Sequence, residues 1–197
     1  GNNNFTINSP NLSNGATSHV GAVTWASGTT GVSGAVSSSN SLIGSTSGDF
    51  AGVGGVVALT NGNYVVDSYY WNNGAVTYAG AVTWGNGTSG TTGVISSSNS
   101  LVGSRASDEL GNGGITALTN GNYVISSPFW DNGAVTDAGA ATWGDGATGI
   151  TGVVSSSNSL VGSHDSDQVS SGIAGGIDGV TALTNGNNVV SSPDWAN

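Results

Sequence analysis

The sequence predicts an all-β fold of tandem four-stranded antiparallel blades, each about 59 residues long. Three observations predict it. The phrase SSSNSL recurs with its first Asn at Asn40, Asn99 and Asn158, and the phrase (V/A)TW places Trp25, Trp84 and Trp143, both at a spacing of 59 residues; such fixed self-similarity is the signature of a repeat architecture. Within one period, short runs of β-branched and aromatic residues alternate with polar ones and are bordered by Gly, Asn, Asp or Pro, the pattern of half-buried strands. Nowhere do apolar residues recur at i, i+3, i+4, i+7 over three turns. The 35 glycines also oppose helix, since each interior Gly costs a helix about 1 kcal/mol relative to Ala.

The third period shows the elements most clearly. Strands are predicted at GGITALT (113–119), NYVISS (122–127), AGAATW (138–143) and VVSSSNSLVG (153–162). Asn120-Gly121, repeated as Asn61-Gly62 and Asn185-Gly186, predicts a two-residue type I′ hairpin between the first two. Gly85-Asn86-Gly87 and Gly144-Asp145-Gly146 end the Trp strand. A single sheet of this size cannot bury its faces alone, so neighbouring repeats must supply the opposing face.

The chain divides as one array over 1–197, with repeats at 1–59, 60–118 and 119–183 and a partial fourth copy at 184–197. That last copy arrives six residues late, which places an insertion between Ser163 and Val180. Opening NFTINSPNLSNG aligns with NYVVDSYYWNNG, setting Phe5 over Tyr64 and Leu12 over Trp71, and NNVVSSPDWAN is the same element again. The ends therefore duplicate each other, which suits a subunit that exchanges a terminal strand with its neighbour, or an excerpt of a longer array. The absence of Met points the same way, to a processed product or a piece of something longer.

Composition excludes several function classes. Lys and Arg together number 1 against 11 Asp and Glu, a net charge of −10. With Arg105 as the only strong cation, no nucleic-acid partner is expected, because phosphate binding needs several cations to release counterions. Polybasic membrane attachment fails for the same reason, and no apolar run approaches the ~20 residues of a membrane-spanning helix. Cys is 0, which removes disulfides and thiol chemistry. The abundance of Gly, Ser, Thr and Asn raises disorder, but an unfolded polar tract has no reason to keep large aromatics in phase.

The order GSxxxDxxG, (V/I)xAL, NGNYV, GAVTW resembles the FG-GAP repeat of integrin-α-type β-propellers. The residues that carry the resemblance are Gly44-Ser45 with Asp49 and Gly52, Gly103-Ser104 with Asp108 and Gly111, Val124-Ile125-Ser126-Ser127-Pro128, and Gly21-Ala22-Val23. The repeat is also similar to those in very long bacterial surface proteins of the haemagglutinin or adhesin kind. The resemblance implies propeller-like blades and a cell-surface setting. It departs at the calcium loop, which would fall at Thr60-Asn61-Gly62-Asn63, where no carboxylate stands; no cofactor is expected. Three blades are also fewer than the about four to eight of a propeller, so closure needs further copies or a second chain, and a linear solenoid-like stack is the alternative.

Candidate chemistry is sparse. Asp49, Asp108 and Asp167 recur in phase, as expected of turn caps accepting backbone N–H groups; the alternative is a set of ligands for cations or sugar hydroxyls. Asp131 and Asp137 would suit a shared calcium, but Asn72 and Ser13 align with the first and Tyr78 and His19 with the second. His19 and His164 are not equivalent and lack partners at metal-ligand spacing. His164 lies near Asp165, Asp167 and serines, without a nucleophile-elbow motif. No catalytic residue is assigned. Trp25, Trp84 and Trp143 are expected in inter-sheet packing. Trp71, Trp130 and Trp195, the first two beside Asn72 and Asp131, are either packing over a turn or platforms for sugar rings. Asn4, Asn11 and Asn86 match the N-glycosylation sequon. The expected function is an extracellular structural or adhesion protein, self-associating head to tail or by strand exchange into a fibre or larger propeller. The alternative is a lectin-like module binding glycans through its loop tryptophans.

Overall fold

The computed structural model describes residues 3–172 and 179–196. Its first repeat contains β1 (Phe5–Ser9), β2 (Ala22–Ala26) and β3 (Leu42–Ile43). The structural repeats begin a few residues ahead of the sequence repeats, and the second contains β4 (Gly55–Ala58), β5 (Tyr64–Ser68), β6 (Ala81–Gly85), β7 (Gly93–Val94) and β8 (Leu101–Val102). The third contains β9 (Ile115–Ala117), β10 (Tyr123–Ser127), β11 (Ala140–Gly144), β12 (Gly152–Val153) and β13 (Leu160–Val161), and β14 (Val180–Ala182) with β15 (Asn188–Val190) follows. The described residues are all-β, as the sequence predicts.

Each blade is a small antiparallel meander, β4-β5-β6-β8 in the second repeat and β9-β10-β11-β13 in the third. The registers coincide: Tyr64 faces Gly85 as Tyr123 faces Gly144, and Val66 faces Thr83 as Ile125 faces Thr142. A further strand joins each of the first two blades from the next repeat, β7 pairing in parallel with β3 and β12 with β8. The fourth predicted strand of the period is therefore two strands serving two sheets. The reason is local. Asn158 Oδ1 accepts the Ser155 N–H at 2.9 Å while its Nδ2 donates to the Val153 carbonyl, so the SSSN phrase is a turn separating Gly152–Val153 from Leu160–Val161. The same phrase reaches the core, where the Ser100 and Thr83 hydroxyls lie 2.7 Å apart, as do those of Ser41 and Thr24.

The hairpin at Asn120-Gly121 forms, but not as a type I′ turn. Only Gly121 takes positive φ (92°), and Leu118 N–H closes a wider loop onto the Asn122 carbonyl. Asn120 instead caps the loop, accepting the Asn122 N–H at 3.0 Å.

The core lies between blades. Leu59, Val65, Leu101 and Leu110 of the second repeat bury against Tyr123, Ile125 and Trp130 of the third. Val23 and Leu42 meet Val66, Trp71 and Ile95 one junction earlier. Leu118, Val124 and Val169 meet Val180 one junction later. Within a repeat the chain crosses itself closely: at Gly80 (φ 77°) a Cβ would sit 2.2 Å from the Leu110 nitrogen, so only Gly fits. Residues 173–178, in the stretch that holds the predicted insertion, lie outside the described residues.

Candidate functional site

The residues that recur in phase converge on the junctions between repeats. Asp49 is fully buried; its Oδ2 accepts the N–H groups of Ser45 and Thr46, both at 2.7 Å, in its own loop. Its Oδ1 crosses into the next repeat and accepts the Asn72 N–H at 3.1 Å and the Asn72 amide at 2.9 Å. Asp108 repeats this with Ser104, Arg105 and, across the junction, Asp131 N–H at 3.1 Å. Asp167 does so with Ser163, His164 and Ala196 N–H at 2.9 Å. Each carboxylate is thus a turn cap in one repeat and a tether to the next. Burial pushes the Asp108 carboxyl up. The Ala196 N–H, with those of Ser163 and His164, pulls Asp167 down.

A second set of bonds also crosses the junctions. Asn63 donates to the Gly146 carbonyl at 2.8 Å and accepts the Gly87 N–H at 3.0 Å; Asn4 likewise donates to Gly87 at 2.9 Å and accepts Gly28 N–H. Trp25 and Trp84 add indole bonds to the Gly87 and Gly146 carbonyls at 3.2 and 3.0 Å. The turn of the following repeat lies so close that a Cβ at Gly149 would sit 2.6 Å from Trp84 Cβ. Asn61 and Asn120, the hairpin asparagines, reach forward to Gly146 and Gly186. These bridges were invisible as such in the sequence; their signal is an Asn that recurs in phase where a turn alone would accept Asp or Ser.

The proposed sugar platforms are corrected by burial. Trp71 and Trp130 are each 4% exposed and pack in the inter-blade cores, so neither offers a face to a ligand; Trp195 is 54% exposed. Asp131 is a turn acceptor whose Oδ1 holds the Asp137 N–H at 2.9 Å, the role Asn72 plays toward Tyr78 N–H at 3.0 Å. Burial and the Asp131 charge raise Asp137. Among the described residues no three His, Asp or Glu side chains converge on a point that would hold a metal. Of the sequon residues, Asn11 is exposed and Asn86 half-buried, its Oδ1 capping Thr88 and Ser89 N–H. Asn4 is corrected: its amide nitrogen is engaged by the next repeat, and a glycan there would break the junction.

Ser163 Oγ and Asp167 Oδ2 approach the same His164 nitrogen, Nδ1, at 3.1 and 3.8 Å. A hydrolytic relay needs them on opposite ring nitrogens. One buried carboxyl stands outside the repeated pattern. Asp67 in β5 is 4% exposed with Oδ1 unpartnered, and burial holds its pKa well above the usual carboxylate range. In the first repeat Asn8 takes the place and donates to the Gly52 carbonyl at 2.7 Å.

The surface of the first junction carries an aromatic cluster the sequence reading did not find. His19 stacks on Phe50 at 5.2 Å, and Tyr70 meets Phe50, Tyr69 and Tyr78 at 6.3, 4.5 and 5.2 Å. The position of Tyr69 is Pro10, Pro128 and Pro193 in the other copies.

The chain matches a family described as a repeat of unknown function, DUF5650, over residues 1–53, 58–112, 117–171 and 182–197, and belongs to that family. Comparison with curated proteins finds no match.

Proposed function

We propose that this member of the DUF5650 repeat family is a structural repeat array of an extracellular or cell-surface adhesion protein, a spacer whose blades extend end to end and which carries no catalysis. The observation that carries the reading is the junction. The recurring aspartates, hairpin asparagines and tryptophans each bind one repeat to the next, which is the economy of a quasi-one-dimensional array. Few charges and abundant hydroxyls suit an exposed, unreactive surface. Successive inner strands β4, β9 and β14 lie beside one another, an arrangement compatible with propeller-like or linear stacking. An antibody raised against the array is expected to label intact cells of the organism that makes it, with loss of signal after surface protease treatment. Labelling only after permeabilisation would contradict the reading.

The aromatic cluster favours a second reading, carbohydrate binding, because sugar rings stack on aromatic faces. Tyr78 is 44% exposed and borders a surface hollow with Ser47 of the first repeat, whose hydroxyl bonds that of Ser18. A glycan array scored with the native chain and with Tyr78→Ala tests it: binding lost on substitution supports a lectin, and silence with both removes it.

A further inference from the structure

Two rows of side chains stand in a backbone conformation that favours glycine. Six of the ten described non-glycine residues at positive φ are His19, Tyr78 and Asp137 (52°, 54° and 48°) and Phe50, Glu109 and Gln168 (45°, 42° and 44°). Each repeat joins one residue of each row: Phe50, Glu109 and Gln168 N–H donate to the His19, Tyr78 and Asp137 carbonyls at 2.9, 2.9 and 3.0 Å. The scaffold is constant, since Asp49, Asp108 and Asp167 precede the second row and Gly21, Gly80 and Gly139 follow the first. The paired side chains, by contrast, share no chemistry from one repeat to the next. Left-handed backbone costs an L side chain and is free to Gly, which this chain uses at many other turns. Side chains retained there, and different in each copy, are side chains in use.

The pairs join into a strip across the first junction. Tyr70 lies 6.3 Å from Phe50 and 5.2 Å from Tyr78, so it links the first pair to the second, and its copy in the third repeat, Phe129, is 37% exposed. A hollow of about 320 Å³ opens beside Tyr78 against residues 46–48 of the first repeat. Carboxylates continue the strip. Burial, and then the charges of Tyr70, Asp67 and Glu109, raise the Tyr69 phenol, and Glu109, Asp131 and Asp137 make no ion pair among the described residues.

We propose that this strip binds an extended, proline-rich segment of a partner protein that carries basic residues, its prolines on the rings of the first junction and its basic side chains at Glu109 and Asp137. Proline-rich chains in the polyproline II form dock on aromatic surfaces. That helix has three residues per turn at a rise of about 3.1 Å, so one turn advances about 9 Å. Packed sheets stand roughly 10 Å apart, and every third residue of the segment therefore meets one repeat. Carboxylates without cations complement a basic residue at those positions. A polysaccharide of repeating sugars would meet three unlike stations, whereas a polypeptide varies as they do; this favours a peptide over the carbohydrate reading of the same rings. The inference does not depend on the structural reading.

The probe is the synthetic peptide PPPPPRPPR, titrated calorimetrically against the full chain beside PPPPPPPRR, which has the same composition without the three-residue spacing. The first should bind roughly fivefold tighter than the second, the worth of one exposed charge pair. Tyr70→Ala should weaken its binding roughly tenfold through the lost ring contact, and Glu109→Gln roughly fivefold. Asp145→Asn makes the same change of charge at the far end of β11 from Asp137, where Asn86 stands in the second repeat, and should leave the affinity unchanged. Tyr78→Gly frees the left-handed backbone, so binding should fall with the denaturation midpoint undiminished; a lowered midpoint would show that the ring is there for packing and overturn the strain argument. Equal affinity for the two peptides, or equal weakening by Glu109→Gln and Asp145→Asn, would reduce the attraction to net charge and overturn the proposal. So would an absence of binding at millimolar peptide, or binding confined to the glycan array. The surface-labelling experiment judges the structural reading separately in every case.

Discussion

The second and third repeats present the same residues at interior and terminal positions, and the difference between them is the difference between a core and a surface. Leu101 is 0% exposed under β12, whereas Leu160, one period on, is 59% exposed. Trp84 bonds to the next turn, while Trp143 stands open. Asp108 and Asp167 accept the same pattern of N–H groups, yet burial lifts the first carboxyl and the donors lower the second. Sequence alone therefore does not make these residues core residues; the neighbouring repeat does. Stability in such an array is the sum of weak repeats and strong interfaces.

That contrast is open to direct challenge. Leu101→Ala should have the largest effect, destabilising by about 3 kcal/mol in chemical denaturation, with Leu160→Ala within about 0.5 kcal/mol of the native chain under monomeric conditions; equal losses would erase the distinction. Asp108→Ala orphans three N–H groups, two in its own loop and one across the junction, and should cost about 2–3 kcal/mol, more than Asp167→Ala does.

Asp67→Asn sharpens the comparison by gain. It introduces the first-repeat solution, the amide of Asn8, and should raise stability at pH 7 by about 1–2 kcal/mol. The sign follows from linkage: with a folded pKa above the unfolded one, stability is full below the unfolded value and falls as pH rises through the folded value. The native chain should therefore lose denaturation midpoint between pH 4 and pH 8 by more than Asp67→Asn does. Asp167, with its folded pKa lowered, works oppositely, its contribution present above the unfolded pKa and lost as pH falls. Smallest is Trp84→Phe, which removes the bond to Gly146 and should cost about 1 kcal/mol, while Trp143→Phe changes nothing measurable.

The period, the all-β class and the strands carrying Tyr64, Trp84 and their equivalents were legible because repetition and alternation are local signals. The strand passed back to the preceding sheet was not, because Gly152–Val153 is two residues long and carries no period. Asp49, Asp108 and Asp167 were legible as caps, since the residues they cap lie three and four positions away. Their second bond was not, because its donor lies 23 residues on at Asn72 and Asp131. Trp71 and Trp130 were ambiguous for the same reason: whether an indole beside a turn is covered depends on the blade that folds over it.

The central claim is that strands handed back across the junction lock the array. Ile95 and Val154 N–H donate to the Ile43 and Val102 carbonyls at 3.1 and 3.2 Å, and Val36 is their counterpart in the first repeat. Amide hydrogen exchange on the dilute, monomeric chain measures all three together. Slow exchange at Ile95 and Val154 with fast exchange at Val36 is the expected result; exchange at Ile95 and Val154 as fast as at Val36 would contradict the account.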